Sequence, residues 1–169
     1  MSSALLSTLS IDAVIARLTT LKAQRAEQGE SLCVVATNGC FDLLHVGHLR
    51  YLHAARQQGD VLIVGLNSDA SVQRLKGPTR PILPEAERAE LLLGLDCVDD
   101  VFVFDAPSPV DALVALAPSI YVKGGDYAVD TLPEGRALQA IGTKLVFFPY
   151  VEGRSTSSIV QRIQSLPPV

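Results

Sequence analysis

The sequence predicts an α/β fold in which a parallel sheet carries helices on both faces. Short β-rich runs alternate along the chain with stretches of helical periodicity. The β-rich runs are continuously apolar, which is typical of parallel strands that are buried on both faces. The chain has 169 residues, of which 48% are hydrophobic and 19% charged, so it can form one domain with a substantial core.

The first predicted element is a helix over residues 11–28. Its apolar side chains recur at helical spacing, Ser10 can cap its start and Gly29 can end it. The strands that follow are apolar runs rich in valine, isoleucine, leucine and phenylalanine. They are predicted at 32–37, 61–66, 101–104, 120–122 and 144–148. Helices are predicted between and after them, near 46–58, 69–75, 84–94, 109–117, 134–141 and 156–165.

These elements suggest a helical extension over residues 1–30, a single globular domain over 31–165 and a frayed tail over 166–169. The net charge of −4 argues against non-specific nucleic-acid binding. No apolar run approaches a membrane span, and no signal pattern opens the chain. Its three irregularly spaced cysteines are typical of reduced thiols, so we expect a cytoplasmic protein without nucleic-acid or membrane partners.

Three loops with unusual compositions follow predicted strands. They cover residues 38–48, 123–127 and 152–158. Because the carboxyl ends of parallel strands meet at one edge of a sheet, and ligands bind there, the three loops are expected to form one site. The phosphate-loop and dinucleotide glycine patterns are both absent, which excludes kinases of the former class and ordinary dehydrogenases.

The first loop ends in His45-Val-Gly-His48 at a strand-to-helix turn. Backbone N–H groups and the positive dipole end at a helix start favour anions, and two imidazoles there suit a nucleotide's phosphates. The alternative is a pair of capping histidines. A zinc site with His53 is disfavoured, because its helical position lies roughly 140° from that of His48 and roughly 80° from that of His45.

The other segments contain groups suited to anions and a nucleoside. Arg154, followed by the hydroxyls of Ser155, Thr156 and Ser157, forms a second phosphate cradle at a helix start, although simple N-capping explains part of it. The loop after the fourth strand offers a close backbone approach and a carboxylate that can meet a base, a ribose or a cation. Its residues are Gly124, Gly125 and Asp126.

A basic segment between the second and third strands suggests an anionic second substrate, with an ordinary solvated loop as the alternative. It contains Arg74, Lys76, Arg80 and Arg88. Asp42, just before the histidines, can help hold Mg²⁺ or orient His45, or it can stabilise the turn.

The residues now quoted resemble those of the HxGH nucleotidyltransferase superfamily, which is cytidylyltransferase-like. Residues 38–48 match its first signature, and residues 154–157 resemble its second, although here the Ser-Thr pair follows the arginine directly. Residues 67–71, 74–81 and 122–127 make the chain similar to enzymes that adenylylate D-glycero-β-D-manno-heptose 1-phosphate.

The resemblance implies a Rossmann-like three-layer sandwich with five parallel strands in the order 3-2-1-4-5. It implies adenylyl transfer from ATP, with Mg²⁺, to a sugar 1-phosphate, giving ADP-heptose and pyrophosphate. A homodimer and a separate sugar kinase are also expected. The rivals are a cytidylyltransferase for glycerol 3-phosphate or phosphoethanolamine, and a regulatory protein that binds nucleotide without turnover.

The resemblance also implies roles for individual residues. His45, His48 and Lys76 would stabilise the transferring phosphate, and Lys76, Arg80 and Arg88 would meet the acceptor phosphate. Asp42 is the candidate metal ligand. The nucleotide-binding set adds residues of all three loops. They are Asn38, Gly39, Phe41, Asp42, Gly47, Gly124, Gly125, Asp126, Arg154, Ser155, Thr156 and Ser157.

Overall fold

The computed structural model describes residues 8–125, 132–149 and 155–167. Within these ranges, five strands form one sheet: β1 Val34–Gly39, β2 Val61–Asn67, β3 Asp100–Phe104, β4 Ile120–Gly124 and β5 Lys144–Phe148. The helices of the same ranges are α1 Ile11–Glu27, α2 Val46–Arg56, α3 Asp69–Lys76, α4 Glu85–Leu93, α5 Val110–Leu116, α6 Gly135–Ala140 and α7 Thr156–Gln164. The predicted alternation of strands and helices is confirmed.

All strand pairs are parallel, and the order is β3-β2-β1-β4-β5. This confirms the expected order 3-2-1-4-5. The strand order reverses between β1 and β4, because the chain builds outward from β1 to β3 and then returns to the other side of β1. A crevice opens at such a switch point beyond the carboxyl ends of the strands, and ligands bind there.

The first strand lies two residues later than its composition predicts. Its ladder with β2 begins at Val34↔Val61 and continues to Gly39↔Leu66. The apolar residues Leu32 and Cys33 therefore precede the strand, while Asn38 and Gly39, predicted as a turn, belong to it. Because they pair with β2, Asn38 and Gly39 lie at the carboxyl end of β1, beside the site.

Helices cover both faces of the sheet, so the three-layer sandwich is confirmed. On one face, Leu113 of α5 and Leu138 of α6 pack with Val14 and Leu18 of α1. On the other face lie the buried side chains of α2 and α4, including Leu52 and Leu92. The N-terminal helix is therefore part of the main core, and Arg17 on the same helix forms a 2.7 Å ion pair with Asp100 of β3.

The start of α1 follows the prediction, since the Ser10 side chain caps it by accepting from the N–H of Ala13. Gly29 adopts φ 74° just after the helix, where its N–H donates to Ala26 O. Across the described ranges, no helix combines the length and the apolarity needed to cross a membrane.

Candidate active site

A cavity of about 570 Å³ lies at the carboxyl edge of the sheet, where the loops after β1, β3, β4 and β5 converge. The predicted residues that line it come from separate segments: Asn38, Gly39, Phe41, Asp42, His45, Gly47, His48, Lys76, Gly124, Ser155, Thr156 and Ser157. The expectation that loops distant in sequence share one cleft is met for these residues. Asp126 and Arg154 lie outside the described residues.

His45 is the N-cap of α2, and its ring occupies the helix start. The Nδ1 atom accepts from the N–H groups of Gly47, at 3.1 Å, and of His48, at 3.4 Å. These two N–H groups are therefore not presented to a ligand, contrary to the simple picture of an exposed helix start. An accepting Nδ1 places the proton of the neutral ring on Nε2. The two backbone N–H groups are therefore bound by the ring, and the donor that His45 can offer a ligand in their place is its Nε2–H group.

His48 stacks on His45 with ring centroids 3.8 Å apart and an interplanar angle of 20°. Burial, followed by the nearby positive charges of His45 and Lys76, lowers the pKa of His48 from 6.5 to about 4, and Asp42 only partly opposes this. His48 is therefore neutral at pH 7. Its Nδ1 atom is buried and has no hydrogen-bond partner among the described residues, as expected of a group that awaits a ligand.

The loop between β1 and α2 is strained. Phe41 and Leu43 adopt φ values of 45° and 50°, which are uncommon for residues other than glycine, asparagine and aspartate. Phe41 is nevertheless buried, and its ring meets His48 edge-on at 5.3 Å between centroids. This backbone conformation brings the Phe41 ring into contact with His48. Strained backbone of this kind is often found in functional loops.

The Asp42 carboxylate binds protein groups of the loop around residues 80–83. These contacts fit the expectation that Asp42 stabilises the turn better than the expectation that it binds a metal ion. Its side chain is fully buried and accepts from the N–H groups of Ile82 and Leu83 and from Arg80 at 3.0 Å. Burial alone would raise the pKa of Asp42, but these hydrogen bonds and the guanidinium charge lower it below its ordinary value. With its carboxylate oxygens occupied, Asp42 does not fit the role of a Mg²⁺ ligand.

The start of α7 is tied to the same loop. Thr156 donates through its hydroxyl to Asp42 O, while Ser155 and Ser158 form a reciprocal capping box. Two of the predicted phosphate-binding hydroxyls therefore have internal partners. The bond from Thr156 joins the two helix starts, so that α2 and α7 face one cavity in a fixed relation.

Three cations of the basic segment differ in their exposure and in their partners. Lys76, the last residue of α3, is exposed and lines the cavity. Arg80 is held by Asp42. Arg88 has no exposed surface, and it donates to Leu83 O, Cys40 O and Asp69 at 3.0, 2.6 and 2.7 Å.

Arg80 and Arg88, which the resemblance assigns to the acceptor phosphate, both bond to protein oxygens in the structure. Neither residue is among those that line the cavity in the described chain. The donors of Arg88 are directed at protein oxygens, because burying a guanidinium requires partners of this kind. Lys76 alone of these three cations faces the cleft.

The two glycines at the end of β4 contact protein groups. A Cβ on Gly124 would approach Cε2 of Tyr51 at 3.2 Å, so the glycine makes room for that ring. Gly125 adopts φ 125° and donates to Phe148 O at 2.8 Å. Tyr51 in turn bonds to Thr37 at 2.6 Å and to Val122 O at 2.9 Å, and it lines the cavity. The sequence did not indicate this tyrosine, because helical tyrosines are common core residues.

A polar cluster at the cavity wall was also missed. Lys123 lies 2.7 Å from Asn38 Oδ1 and 3.2 Å from Glu134 Oε1, and the Tyr121 hydroxyl lies within hydrogen-bond distance of the same two oxygens, to one of which it can donate. We call these four residues the Lys123 cluster. The signal for it was a lysine inside an otherwise apolar strand. His53, by contrast, is half exposed and pairs with Asp96 at 3.5 Å.

Comparison with known proteins shows the family of the chain. A profile of the cytidylyltransferase-like family matches residues 36–162. The chain is 49% identical over 138 residues to the bifunctional protein HldE of Trichlorobacter lovleyi, and 52% identical over 132 residues to HldE of Citrifermentans bemidjiense. These alignments cover 82% and 78% of this chain but only 28% and 27% of the relatives, so the chain spans a little over a quarter of their length.

Among solved structures, the chain is similar to a lipopolysaccharide core biosynthesis protein from Thermoplasma volcanium. The TM-score is 0.60 at 25% sequence identity, and the match covers 73% of this chain and all of the other. The family profile covers both helix starts and most of the sheet. The chain therefore belongs to the cytidylyltransferase-like family of nucleotidyltransferases.

Proposed function

We propose that this chain transfers an adenylyl group from ATP to a sugar 1-phosphate, with D-glycero-β-D-manno-heptose 1-phosphate as the preferred acceptor. A phosphate oxygen of the sugar phosphate attacks the α-phosphorus of ATP. A new P–O bond forms as the bond to the β-phosphate oxygen breaks, and pyrophosphate leaves. The products are ADP-heptose and pyrophosphate.

The observation that carries this proposal is the meeting of two helix starts and a lysine at one cavity. His45 and His48 lie at the start of α2, Ser157 lies at the start of α7, and Lys76 enters from α3. The positive dipole ends of both helices and the lysine favour anions, while at the start of α2 the histidine rings take the place of the capped backbone N–H groups as donors, so a triphosphate is the ligand that we expect to bind between them. A chain that only sensed nucleotide would have no need of groups that hold a leaving pyrophosphate.

Each side chain has a proposed task. The rings of His45 and His48 donate hydrogen bonds to oxygens of the α-phosphate, where negative charge grows in the transition state. The start of α7, with Ser157, holds the departing β- and γ-phosphates. Lys76 neutralises the attacking phosphate. Because transfer at phosphorus depends on position and charge, no covalent intermediate with the protein is needed.

The proposed Mg²⁺ enters with ATP as part of the substrate. The acidic residues on the described cavity wall are Asp42 and Glu134. Asp42 is fully hydrogen-bonded, and Glu134 is paired with Lys123. These residues do not form a carboxylate site for a resident ion, so the ion's protein contacts would be few.

The second candidate is cytidylyl transfer from CTP to glycerol 3-phosphate or phosphoethanolamine. The match to a cytidylyltransferase-like profile favours it. Adenine is preferred in our proposal because of the similarity to HldE, at 47% identity over 155 residues for the protein of Geotalea uraniireducens.

Pyrophosphate release across a panel of nucleotides and acceptors separates the candidates. We expect release with MgATP and sugar 1-phosphates, fastest with the heptose, and little with CTP. Faster release with CTP and glycerol 3-phosphate would favour the second candidate. Tight ATP binding without release for any acceptor would identify a regulatory protein.

A further inference from the structure

The Lys123 cluster is a buried ionic group in the wall of the cavity, and the transfer chemistry does not use it. Lys123 and Glu134 expose only 17% and 3% of their side chains, and both residues line the cavity together with Asn38. The cluster joins the ends of β1 and β4 to the segment that precedes α6. It lies at the switch point of the sheet, where β1 and β4 are neighbours.

A buried ion pair is a poor way to stabilise a protein. The desolvation of the two charges offsets much of their attraction, and apolar residues of similar volume often stabilise equally well. Tyr121 and Asn38 add hydrogen bonds that satisfy part of the pair. Among the described residues, both hydrogen bonds that reach the Glu134 carboxylate end on Oε1, so Oε2 keeps its capacity to accept.

A second observation concerns another residue that lines the same cavity. Ser108, in the loop between β3 and α5, has a buried hydroxyl without a hydrogen-bond partner among the described residues. Buried hydroxyls nearly always have partners, so an orphan at a binding cavity indicates a group supplied by a ligand. Ser108 thus offers a donor, and Glu134 of the Lys123 cluster an acceptor, to an occupant of the cavity that both residues line.

We propose that Lys123, Glu134 and Ser108 form the subsite for the hydroxyl groups of the acceptor sugar and determine its specificity. This inference rests on the proposed function. A sugar hydroxyl both donates and accepts, so it can donate to the Glu134 carboxylate, which Lys123 holds in place, while accepting from Ser108. A polyol is the class of ligand whose hydroxyl groups can bond to both the donors and the acceptors of this subsite.

The charge of Glu134 argues against a phosphate group as the occupant. A phosphate group would be repelled by a buried carboxylate, which leaves Lys76 as the described cation for the acceptor phosphate. The base of the nucleotide is the remaining rival for the wall. If the base bound there, changes in the wall would weaken ATP binding, whereas the sugar subsite requires them to weaken acceptor binding.

Steady-state pyrophosphate release with MgATP and D-glycero-β-D-manno-heptose 1-phosphate tests the subsite. For Glu134→Gln we expect the acceptor KM to rise at least about tenfold, and for Ser108→Ala about three- to tenfold, because each loses a hydrogen bond to the sugar. The KM for ATP should change less than about twofold in both. Ser108→Ala should keep or raise the melting temperature, since it removes an unsatisfied buried hydroxyl.

Glu90→Gln and Ser165→Ala are matched controls on exposed positions away from the cavity, and neither should change either KM. A raised KM for ATP, or an unchanged acceptor KM in a folded Ser108→Ala protein, would overturn the sugar subsite while the proposed function stands. A wild-type chain that uses no sugar 1-phosphate at all would overturn the proposed function, and the subsite with it.

Discussion

At the scale of single residues, His45 and His48 have different roles at the start of α2. His45 takes up two backbone N–H groups through Nδ1, and these bonds polarise the ring and strengthen Nε2–H as a donor. His48 is kept neutral by burial and by the charges beside it. The sequence could predict the location of the pair, but the tautomer and the pKa depend on ring stacking and burial, which the pattern does not contain.

His48→Ala should lower kcat by roughly 10²-fold, because a preorganised donor to the transition state is lost. The fold should persist, since the ring lies at a cavity rather than in the core. The measurement is single-turnover pyrophosphate release together with a melting curve. His53→Ala, which removes a half-exposed histidine of the same helix, is the control and should retain wild-type turnover. Near-normal turnover in a folded His48→Ala protein would remove His48 from the mechanism.

The lowered pKa of His48 also predicts a pH dependence of stability. The unfolded chain protonates this group near 6.5 and the folded chain only near 4, so the contribution is complete above pH 6.5 and is lost as the pH falls from 6.5 towards 4. The loss is at most about 3 kcal/mol. Urea unfolding of wild type and His48→Asn between pH 4 and 7 should show a steeper decline for wild type. Parallel curves would mean that His48 titrates normally.

At the scale of elements, one loop organises the site. The carboxylate of Asp42 holds the segment that precedes α4, and its carbonyl accepts from the start of α7. Sequence could place a turn and a phosphate cradle here, since both depend on local residue types. It could not show that Arg88 is buried, because the Cys40 carbonyl it bonds lies 48 residues away along the chain.

Asp42→Asn should destabilise the protein by about 3 kcal/mol, because the buried carboxylate is lost and the partly buried guanidinium of Arg80 loses its counter-charge. Urea unfolding measures this change, and Asp96→Asn on the exposed surface should stay within about 0.5 kcal/mol of wild type. An unaltered stability with a much higher Mg²⁺ requirement would instead support a metal-ligand role for Asp42.

The N-terminal helix should behave as part of the core. Leu18 is 3% exposed within the cluster on that face of the sheet, so Leu18→Ala should cost about 2–4 kcal/mol of unfolding free energy. Lys22→Ala, on the exposed face of the same helix, is the control and should cost little. Equal, small effects of both changes would show that α1 is a dispensable extension.

At the scale of the whole molecule, the strand order β3-β2-β1-β4-β5 brings the residues of the site together. It brings the ends of β1 and β4 together and lets α2, α3 and α7 approach one cavity. The alternation of apolar runs with helices was enough to predict a parallel sheet, and the motif resemblance supplied the strand order. For the Lys123 cluster the sequence offered only the lysine in an apolar strand, because its partners depend on the side-chain positions of three separate elements.

The proposal that the cavity performs adenylyl transfer is tested most directly by ³¹P NMR of the products. With MgATP and D-glycero-β-D-manno-heptose 1-phosphate, the account predicts the paired signals of a sugar-linked diphosphate and an equal amount of free pyrophosphate. The appearance of ADP with a doubly phosphorylated sugar, or of AMP and pyrophosphate with the sugar phosphate unchanged, would contradict it.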